Sequence, residues 1–187
     1  MNPKLTIGLS IGGVVLLIFG IMTGASYNTL VDKKVDIDVA KGTIVTSMAT
    51  RENLSASLLT AADLYLDHES DIYTMITDAR ADYATAATGG DLADLIAADN
   101  LNSVALTNLL AIMESNPEIQ GDNIVLGYMQ TLENLEYTLQ TARDIYNDFV
   151  GEYNKTAQKF PTILFTRMFG YPLEYPIWST PNINPIG

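Results

Sequence analysis

An uncharged apolar stretch near the amino terminus constrains this chain more than any other feature. It extends from Leu5 to Ala25, and the nearest charged residues are Lys4 and Asp32. As an uninterrupted helix it would span about 31 Å, which matches the roughly 30 Å apolar core of a bilayer. The core helix of a soluble protein is usually apolar on one face only. We therefore predict a membrane anchor at residues 1–27, which continues outward as the same helix.

Two other interpretations of this stretch stay open at this point. The first is a cleaved signal peptide, because Thr23-Gly24-Ala25 offers small residues for cleavage. Against it, the apolar run is longer than the roughly 7–15 residues of a typical signal. The second is a helix buried inside a soluble protein. The length of the run favours the uncleaved anchor over both.

Small residues recur along one side of the predicted anchor. Residues of this kind let membrane helices approach closely, so this side could contact a second copy of the anchor. Glycine is also simply common in membrane helices, which is the plainer explanation. The glycines concerned are Gly8, Gly12, Gly20 and Gly24.

Charge and composition exclude several classes of partner. The net charge is −12 in 187 residues, and between residues 42 and 154 the only basic residues are Arg51, Arg80 and Arg143. A surface this acidic disfavours nucleic acid and flat docking on anionic lipid. Scarce lysine and abundant aspartate also fit a protein that works in a salty environment. The absence of cysteine excludes disulfides, thiolate metal sites and cysteine nucleophiles.

Apolar periodicity after the anchor predicts a series of helices. The anchor helix is expected to continue to about Thr50, and Asn53 to cap a second helix that ends near Ala87. Asp91 can cap a third helix, which reaches Ser115 before a proline. A loop follows, and either Asp122 or the next residue is expected to cap the fourth helix.

The fourth helix, from Asn123 to about Gln158, has the most regular pattern. Its apolar residues alternate steps of three and four, which is the heptad spacing of left-handed helix packing. They are Val125, Tyr128, Leu132, Leu135, Leu139, Ala142, Tyr146, Phe149 and Tyr153. Short connections make neighbouring helices antiparallel. The fold class predicted is therefore all-α: a single transmembrane helix that continues into an antiparallel four-helix bundle at residues 28–159.

The remaining segment, residues 160–187, is predicted to be an apolar tail. Pro161 suits the start of a short helix to about Phe169, and four later prolines forbid regular helix. Antiparallel packing brings the tail back toward the membrane. Its aromatic residues are expected to cover an end of the bundle, touch headgroups or dock on a neighbouring subunit. They include Phe160, Phe165, Phe169, Tyr171 and Trp178.

Several short motifs resemble the LemA family. They are Glu133-x-x-Glu136, Ala142-Arg143-x-x-Tyr146-Asn147-Asp148-x-Val150, Tyr153-Asn154, Phe160-Pro161 and, just after the anchor, Tyr27-Asn28-x-Leu30-Val31. The resemblance covers about residues 27–171. It implies an N-terminal membrane helix, a helical bundle and a bacterial-type membrane protein. At residues 50–55 the chain lacks the family's paired arginines and proline. The family's molecular activity is poorly defined, so the resemblance implies a fold more than a function.

A cation site is a weak candidate near the middle of the chain. Asp67, His68, Glu69 and Asp71 lie close together, but only the two aspartates share a helical face. A carboxylate-bridged di-iron centre needs two Glu-x-x-His pairs, and His68 is the sole histidine. A solvated acidic face is the simpler interpretation, so no metal and no cofactor are predicted.

Charged residues beside the apolar seams suggest a partly buried ion-pair network that fixes helix register, since a lone buried charge is costly. The residues are Arg80, Glu133, Glu136 and Arg143. Asn147 and Asn154 could cap or bridge neighbouring backbone groups.

The sequence contains no nucleophile motif, phosphate loop or cofactor motif, so catalysis is not expected. We predict a single-pass cell-membrane scaffold that self-associates, as a homo-oligomer, or recruits other membrane proteins. The alternative is a ligand- or cation-sensing bundle that works with a separate membrane partner. Lys33, Lys34 and Lys41 follow the anchor while Lys4 precedes it, which places the bundle in the cytoplasm.

Overall fold

In the computed structural model, the described residues are 3–63, 65 and 70–179, apart from the side chains of residues 4–6, 70 and 120. This part of the chain is all-α and has no strand, as predicted. Its helices are α1 (Pro3–Ala62), α2 (Ser70–Gly89), α3 (Leu92–Ser115), α4 (Asn123–Gln158) and α5 (Thr162–Met168), with a short 3₁₀ turn at Ile119–Gly121.

Helix α1 corrects one prediction. Asn53 does not cap a second helix, because α1 continues through it to Ala62. The preceding stretch has no proline, and side chains at steps of three and four stay buried on both sides of Asn53. The buried set is Ile44, Met48, Arg51, Ser55 and Leu58. Packing along this face outweighs the local preference of asparagine for a helix start.

The starts of α3 and α4 follow local capping chemistry, as predicted. Asp91 Oδ1 accepts a hydrogen bond from Ala93 N at 2.8 Å, and Asp122 Oδ1 accepts one from Ile124 N at 2.8 Å. These bonds satisfy amide groups that the first turn of a helix leaves free. Backbone bonds to Asp122 hold the pKa of its carboxyl below the usual value. Gly90, at φ +69, turns the chain after α2.

The chain forms two compact units. Unit 1 contains the residues up to Val39 together with Tyr146–Ile177, and unit 2 contains Ala40–Ile145 together with Trp178. Helices α1 and α4 each contribute to both units. The domain boundaries predicted at residues 27 and 159 stay a prediction.

Unit 2 contains a four-helix core. The later part of α1, all of α2 and α3, and the earlier part of α4 bury a continuous set of apolar side chains. Burying a large aliphatic side chain is worth about 1.5–3 kcal/mol, so this set stabilises the unit. It comprises Leu58, Leu59, Ala62, Ile72, Ile76, Ala79, Ala105, Leu106, Leu109, Met113, Ile119, Val125 and Leu132.

Unit 1 combines the first part of α1 with the end of α4, α5 and the tail. Apolar residues of α1 from Ile7 to Ile21 are exposed on all sides of the helix, with Leu16 at 72%. Helices α1 and α3 are both long and apolar enough to cross a membrane. They differ in burial: the most apolar window of α1 buries nothing, whereas α3 places Leu95, Leu109 and Met113 in the interior.

Candidate functional site

A buried group of charged side chains lies inside unit 2, where α1, α3 and α4 supply one or two members each. We call Arg51, Asp99, Glu136, Arg143 and Trp178 the polar cluster. Arg51 is 0% exposed, Asp99 1%, Trp178 3% and Arg143 6%. Charged groups are almost never buried this deeply unless they are paired.

Asp99 is the centre of the polar cluster. Its Oδ1 accepts hydrogen bonds from Arg51 Nη2 at 2.8 Å and from Arg143 Nη2 at 2.7 Å. Its Oδ2 accepts one from Trp178 Nε1 at 3.2 Å. One carboxylate of α3 therefore joins α1, α4 and the tail residue Trp178.

Arg51 makes further bonds on the other side of its guanidinium. Its Nη1 donates to Glu136 Oε1 at 3.0 Å and to Ser103 Oγ at 3.2 Å. The Glu136 side chain is 33% exposed, so it lies nearer the solvent than the others. Two arginines are thus paired with two carboxylates, while Arg51 Nε and Arg143 Nε have no hydrogen-bond partner among the described residues.

Other polar side chains extend this buried region by one helical turn. Ser55 follows Arg51 by four residues and Asn102 follows Asp99 by three, and both are 1% exposed. Ser55 Oγ, Glu52 Oε1 and both amide atoms of Asn102 have no hydrogen-bond partner among the described residues. Buried polar atoms of this kind are rare in folded proteins.

Glu52 has the most perturbed carboxyl of this region. It is 4% exposed, and burial raises its pKa to about 7 although Arg51 and Arg80 oppose the shift. The charge of Asp99 raises it further. Glu52 therefore changes its charge near neutral pH.

The structure brings together only part of the predicted ion-pair network. Glu136 and Arg143 belong to the polar cluster, whereas Arg80 and Glu133 are exposed and lie outside it. Arg80 acts at longer range, through its electrostatic effect on Glu52. Asn147 is half-buried in unit 1.

Sequence reasoning missed Arg51, Asp99 and the role of Trp178 at this site. A signal was present, because polar residues interrupt two apolar seams at core positions. In α1 the buried seam is Met48, Arg51, Ser55 and Leu58, and in α3 it is Leu95, Asp99, Asn102 and Leu106. Charged residues at such positions indicate a paired group inside the bundle.

In unit 1, α4 holds an extended part of the tail, residues 171–177, which we call the tail strap. The side chain of Asn154 makes two hydrogen bonds to Tyr175. Its Oδ1 accepts one from Tyr175 N at 2.8 Å, and its Nδ2 donates one to Tyr175 O at 3.0 Å. Tyr153 donates to Pro172 O at 2.8 Å, and Tyr146 to Pro176 O at 3.1 Å. Asn154 thus bridges backbone groups. Burial raises the pKa of Tyr146 and of Tyr153 to about 12.

The aromatic residues of the tail have different surroundings. Phe165 is buried and its ring centroid lies 5.4 Å from that of Phe19. The rings of Phe169 and Tyr171 pack edge-on against the ring of Tyr27, with centroid distances of 5.1 Å and 6.3 Å. Phe160 is 79% exposed. Within unit 1 the tail therefore packs against α1 near the end of its apolar stretch.

The structure describes one of the four residues that were candidates for a metal site. Asp67, His68 and Glu69 lie outside the described residues, and Asp71 is exposed in the first turn of α2. In the part of the chain that the structure describes, no group of three histidine or acidic side chains is placed to hold a metal ion.

The glycine side of the anchor meets no other part of the described chain. If a Cβ atom were added at Gly8, Gly12, Gly20 or Gly24, no atom from elsewhere in the described chain would lie within 4 Å of it. A groove of about 490 Å³ in unit 2, lined by Arg80 and Tyr128 among others, opens to solvent. The alternative of a sensing bundle calls for a more enclosed pocket than this groove.

The polar cluster and the tail strap are contained in a region that matches a known family. The LemA family model matches residues 40–182. The chain belongs to the LemA family. This LemA region includes all five residues of the polar cluster and the whole tail strap, and the apolar part of α1 precedes it.

Two curated relatives are similar over most of this LemA chain. They are the magnetosome proteins MamQ 1 and MamQ 2 of Paramagnetospirillum magneticum. Each is 26% identical over 190 residues, which covers 85% of this chain and 69% of the relative. Neither name specifies a reaction.

Proposed function

We propose that this LemA protein is a membrane-anchored helical scaffold, which self-associates or recruits other proteins at the membrane and carries out no catalysis. The observation that supports it is the contrast within α1. The apolar residues from Ile7 to Ile21 are all exposed, with Phe19 at 50% beside Phe165, yet the same helix places Leu58 in the core of unit 2. A lipid environment accounts for the first part and a folded bundle for the second.

The proposal includes a single pass through the membrane and a cytoplasmic position for unit 2. Lys33, Lys34 and Lys41 follow the apolar stretch, and basic residues near a membrane helix favour the cytoplasmic side. Lys33 also pairs with Glu152 of α4 at 2.8 Å. Protease protection in sealed inverted vesicles tests this orientation, because a cytoplasmic unit 2 is digested there and a periplasmic or luminal one is protected.

Self-association is proposed to use the glycine side of the anchor. Gly12→Leu adds bulk on that side, and Ser10→Leu adds it on nearly the opposite side, since two residues turn a helix by about 200°. We expect crosslinking of the full chain in native membranes to give oligomers. Gly12→Leu should reduce their yield, and Ser10→Leu should leave it unchanged.

Two results would count against this account. If the unaltered chain is monomeric in native membranes and in lipid nanodiscs, self-association is wrong. If oligomers form but Gly12→Leu and Ser10→Leu behave alike, the chain associates through another surface than the glycine side.

A further inference from the structure

Helix α5 carries an exposed apolar stripe as well as a buried face. Leu164 and Met168 lie about one turn apart on α5 and are 56% and 55% exposed, and Phe160, two residues ahead of the helix, is 79% exposed. On the other side Phe165 and Thr166 are buried, and Thr166 Oγ1 donates to Ala157 O of α4 at 3.2 Å. Surface stripes of large apolar residues usually mark a binding surface.

Ring contacts fix the position of α5 along α1 within unit 1. Phe165 packs against Phe19, which lies about 9 Å inside the apolar stretch when measured from its end at Ala25. Phe169 packs against Tyr27, just beyond that end. The exposed stripe is therefore level with the last turns of the apolar stretch and continuous with its uncovered surface.

The local charge of this segment is opposite to that of the whole chain. Between Glu152 and Glu174 there is no acidic residue, and the basic residues are Lys155, Lys159 and Arg167. All three are exposed. The net charge of −12 predicts repulsion from anionic lipid, but this basic segment would be attracted to it.

We infer that α5 lies in the interfacial layer of the bilayer that α1 crosses, with Phe160, Leu164 and Met168 at the boundary between headgroups and acyl chains. Lys159 and Arg167 then reach the headgroup phosphates while their aliphatic stems stay among apolar groups. This second contact with lipid fixes the rotation of α1 about its own axis. The inference rests on the proposed function, because it needs α1 to span the membrane.

Lipid fits this stripe better than a second copy of the chain does. A symmetric pair would place the same stripe on both sides of the contact. Lys159 and Arg167 would then face their own counterparts, and like charges repel. Anionic headgroups satisfy both the apolar and the basic part of the surface.

The absence of cysteine allows a direct test of depth. A single cysteine at Leu164 of the full chain is labelled with an environment-sensitive fluorophore, in nanodiscs of phosphatidylcholine with phosphatidylglycerol. Leu16→Cys, in the apolar stretch, and Tyr137→Cys, 77% exposed on α4, serve as matched references. Quenching by a spin label near the head of the lipid acyl chain is compared with quenching by aqueous iodide.

We expect the label at residue 164 to be quenched by the shallow lipid spin label and to be severalfold less accessible to iodide than the label at residue 137. Equal iodide access at both positions, with residue 16 in lipid, would overturn the inference and leave the anchor intact. A label at residue 164 shielded from both quenchers would overturn it in favour of a protein cover. Iodide access at residue 16 would instead contradict the proposed function.

A second comparison separates the role of charge from that of apolar contact. When phosphatidylglycerol is omitted, the label at residue 164 should become more accessible to acrylamide, a neutral aqueous quencher that the charge of the lipid does not repel. Lys159→Gln with Arg167→Gln should abolish this dependence on lipid charge, whereas Arg80→Gln, exposed in unit 2, should preserve it. A response that is the same in all three proteins would contradict headgroup binding by the two basic residues.

Discussion

Asp99 is the residue of unit 2 whose substitution tests the polar cluster most sharply. Asp99 is 1% exposed. Its carboxylate accepts a hydrogen bond from Arg51 at 2.8 Å and another from Arg143 at 2.7 Å. Asp99→Asn keeps the size of the side chain and one of its oxygen acceptors while it removes the charge. The variant therefore removes the charge and also turns one oxygen into an amide donor, which faces either an arginine or Trp178 Nε1, so one hydrogen bond of Asp99 is lost together with the charge.

The magnitude follows from these distances. With an effective dielectric constant of about 20, unit charges at such separations attract by about 6 kcal/mol for each pair. The two guanidinium groups share one oxygen and repel each other, which lowers the net attraction. Relaxation and water entry reduce these gross values, so breaking a buried ion pair typically costs about 3–5 kcal/mol. We expect that loss in the free energy of unfolding of Asp99→Asn.

Urea unfolding of the full chain in nanodiscs measures this loss. Trp178 is the single tryptophan and is 3% exposed, so its emission reports exposure of unit 2, with far-ultraviolet circular dichroism as a second probe. Asp82→Asn, an exposed aspartate of α2, is the matched control. Surface substitutions of this kind usually stay within about 0.5 kcal/mol. If Asp99→Asn is as mild as Asp82→Asn, the buried carboxylate does not hold the two arginines as described.

Three further predictions concern other groups of the two units. Glu52 has a pKa of about 7 in the folded protein, against an ordinary value of 4.5. The folded state therefore binds the proton of this carboxyl more tightly than the unfolded state does. Stability should fall by up to about 3 kcal/mol as pH rises through that interval, and Glu52→Gln should remove this part of the slope in urea unfolding. In thermal melting, Arg143→Ala should lower the free energy of unfolding by about 3–5 kcal/mol. Arg80→Ala should lower it by less than about 0.5 kcal/mol. Equal losses in the two variants would contradict the network. Asn154→Ala removes two bonds to Tyr175, each worth about 0.5–1.5 kcal/mol, so amide hydrogen exchange should accelerate in the tail strap, and unchanged exchange would show that α4 does not hold it there.

The sequence was sufficient where short-range chemistry decides the structure. The heptad seam of α4 predicted which side chains turn inward, and Leu132, Leu139, Tyr146 and Tyr153 are all buried. Helix spacing alone assigns a residue to a face, so no knowledge of the partner helix is needed. The ends of α3 and α4 were predicted for a similar reason, because Asp91 and Asp122 satisfy amides of their own turn.

The failures concern contacts between distant parts of the chain. Asn53 has the chemistry of a helix cap, but packing on both sides of it keeps α1 helical. Arg51 occupies a core position that could have been noticed, yet its pairing with Asp99 depends on the register between α1 and α3. The contact of Trp178 with Asp99 joins residues 79 positions apart. Periodicity within one helix contains no information about such pairs.

The polar cluster also bears on why unit 2 adopts one register. Apolar seams interdigitate almost as well after a shift of one heptad, since one leucine replaces another. Asp99 has no such equivalent, because only one register brings Arg51 and Arg143 to its Oδ1. We therefore expect the cluster to select the register of α1, α3 and α4 at some expense in stability, as buried polar residues do in some coiled coils.

The triple variant Arg51→Met, Asp99→Leu, Arg143→Met separates selection of register from stabilisation. Apolar replacement of a buried ion-pair group is often neutral or stabilising by about 1–4 kcal/mol, and the Glu136 side chain, which the variant retains, is 33% exposed and can turn to solvent. We expect the triple variant to unfold at equal or higher urea concentration than the unaltered chain, in contrast to Asp99→Asn. The slow amide exchange of its buried helices in unit 2 should weaken, because several registers become populated. A triple variant that is as unstable as Asp99→Asn would show that the charges stabilise unit 2 outright, and selection of register would then not explain why they are buried.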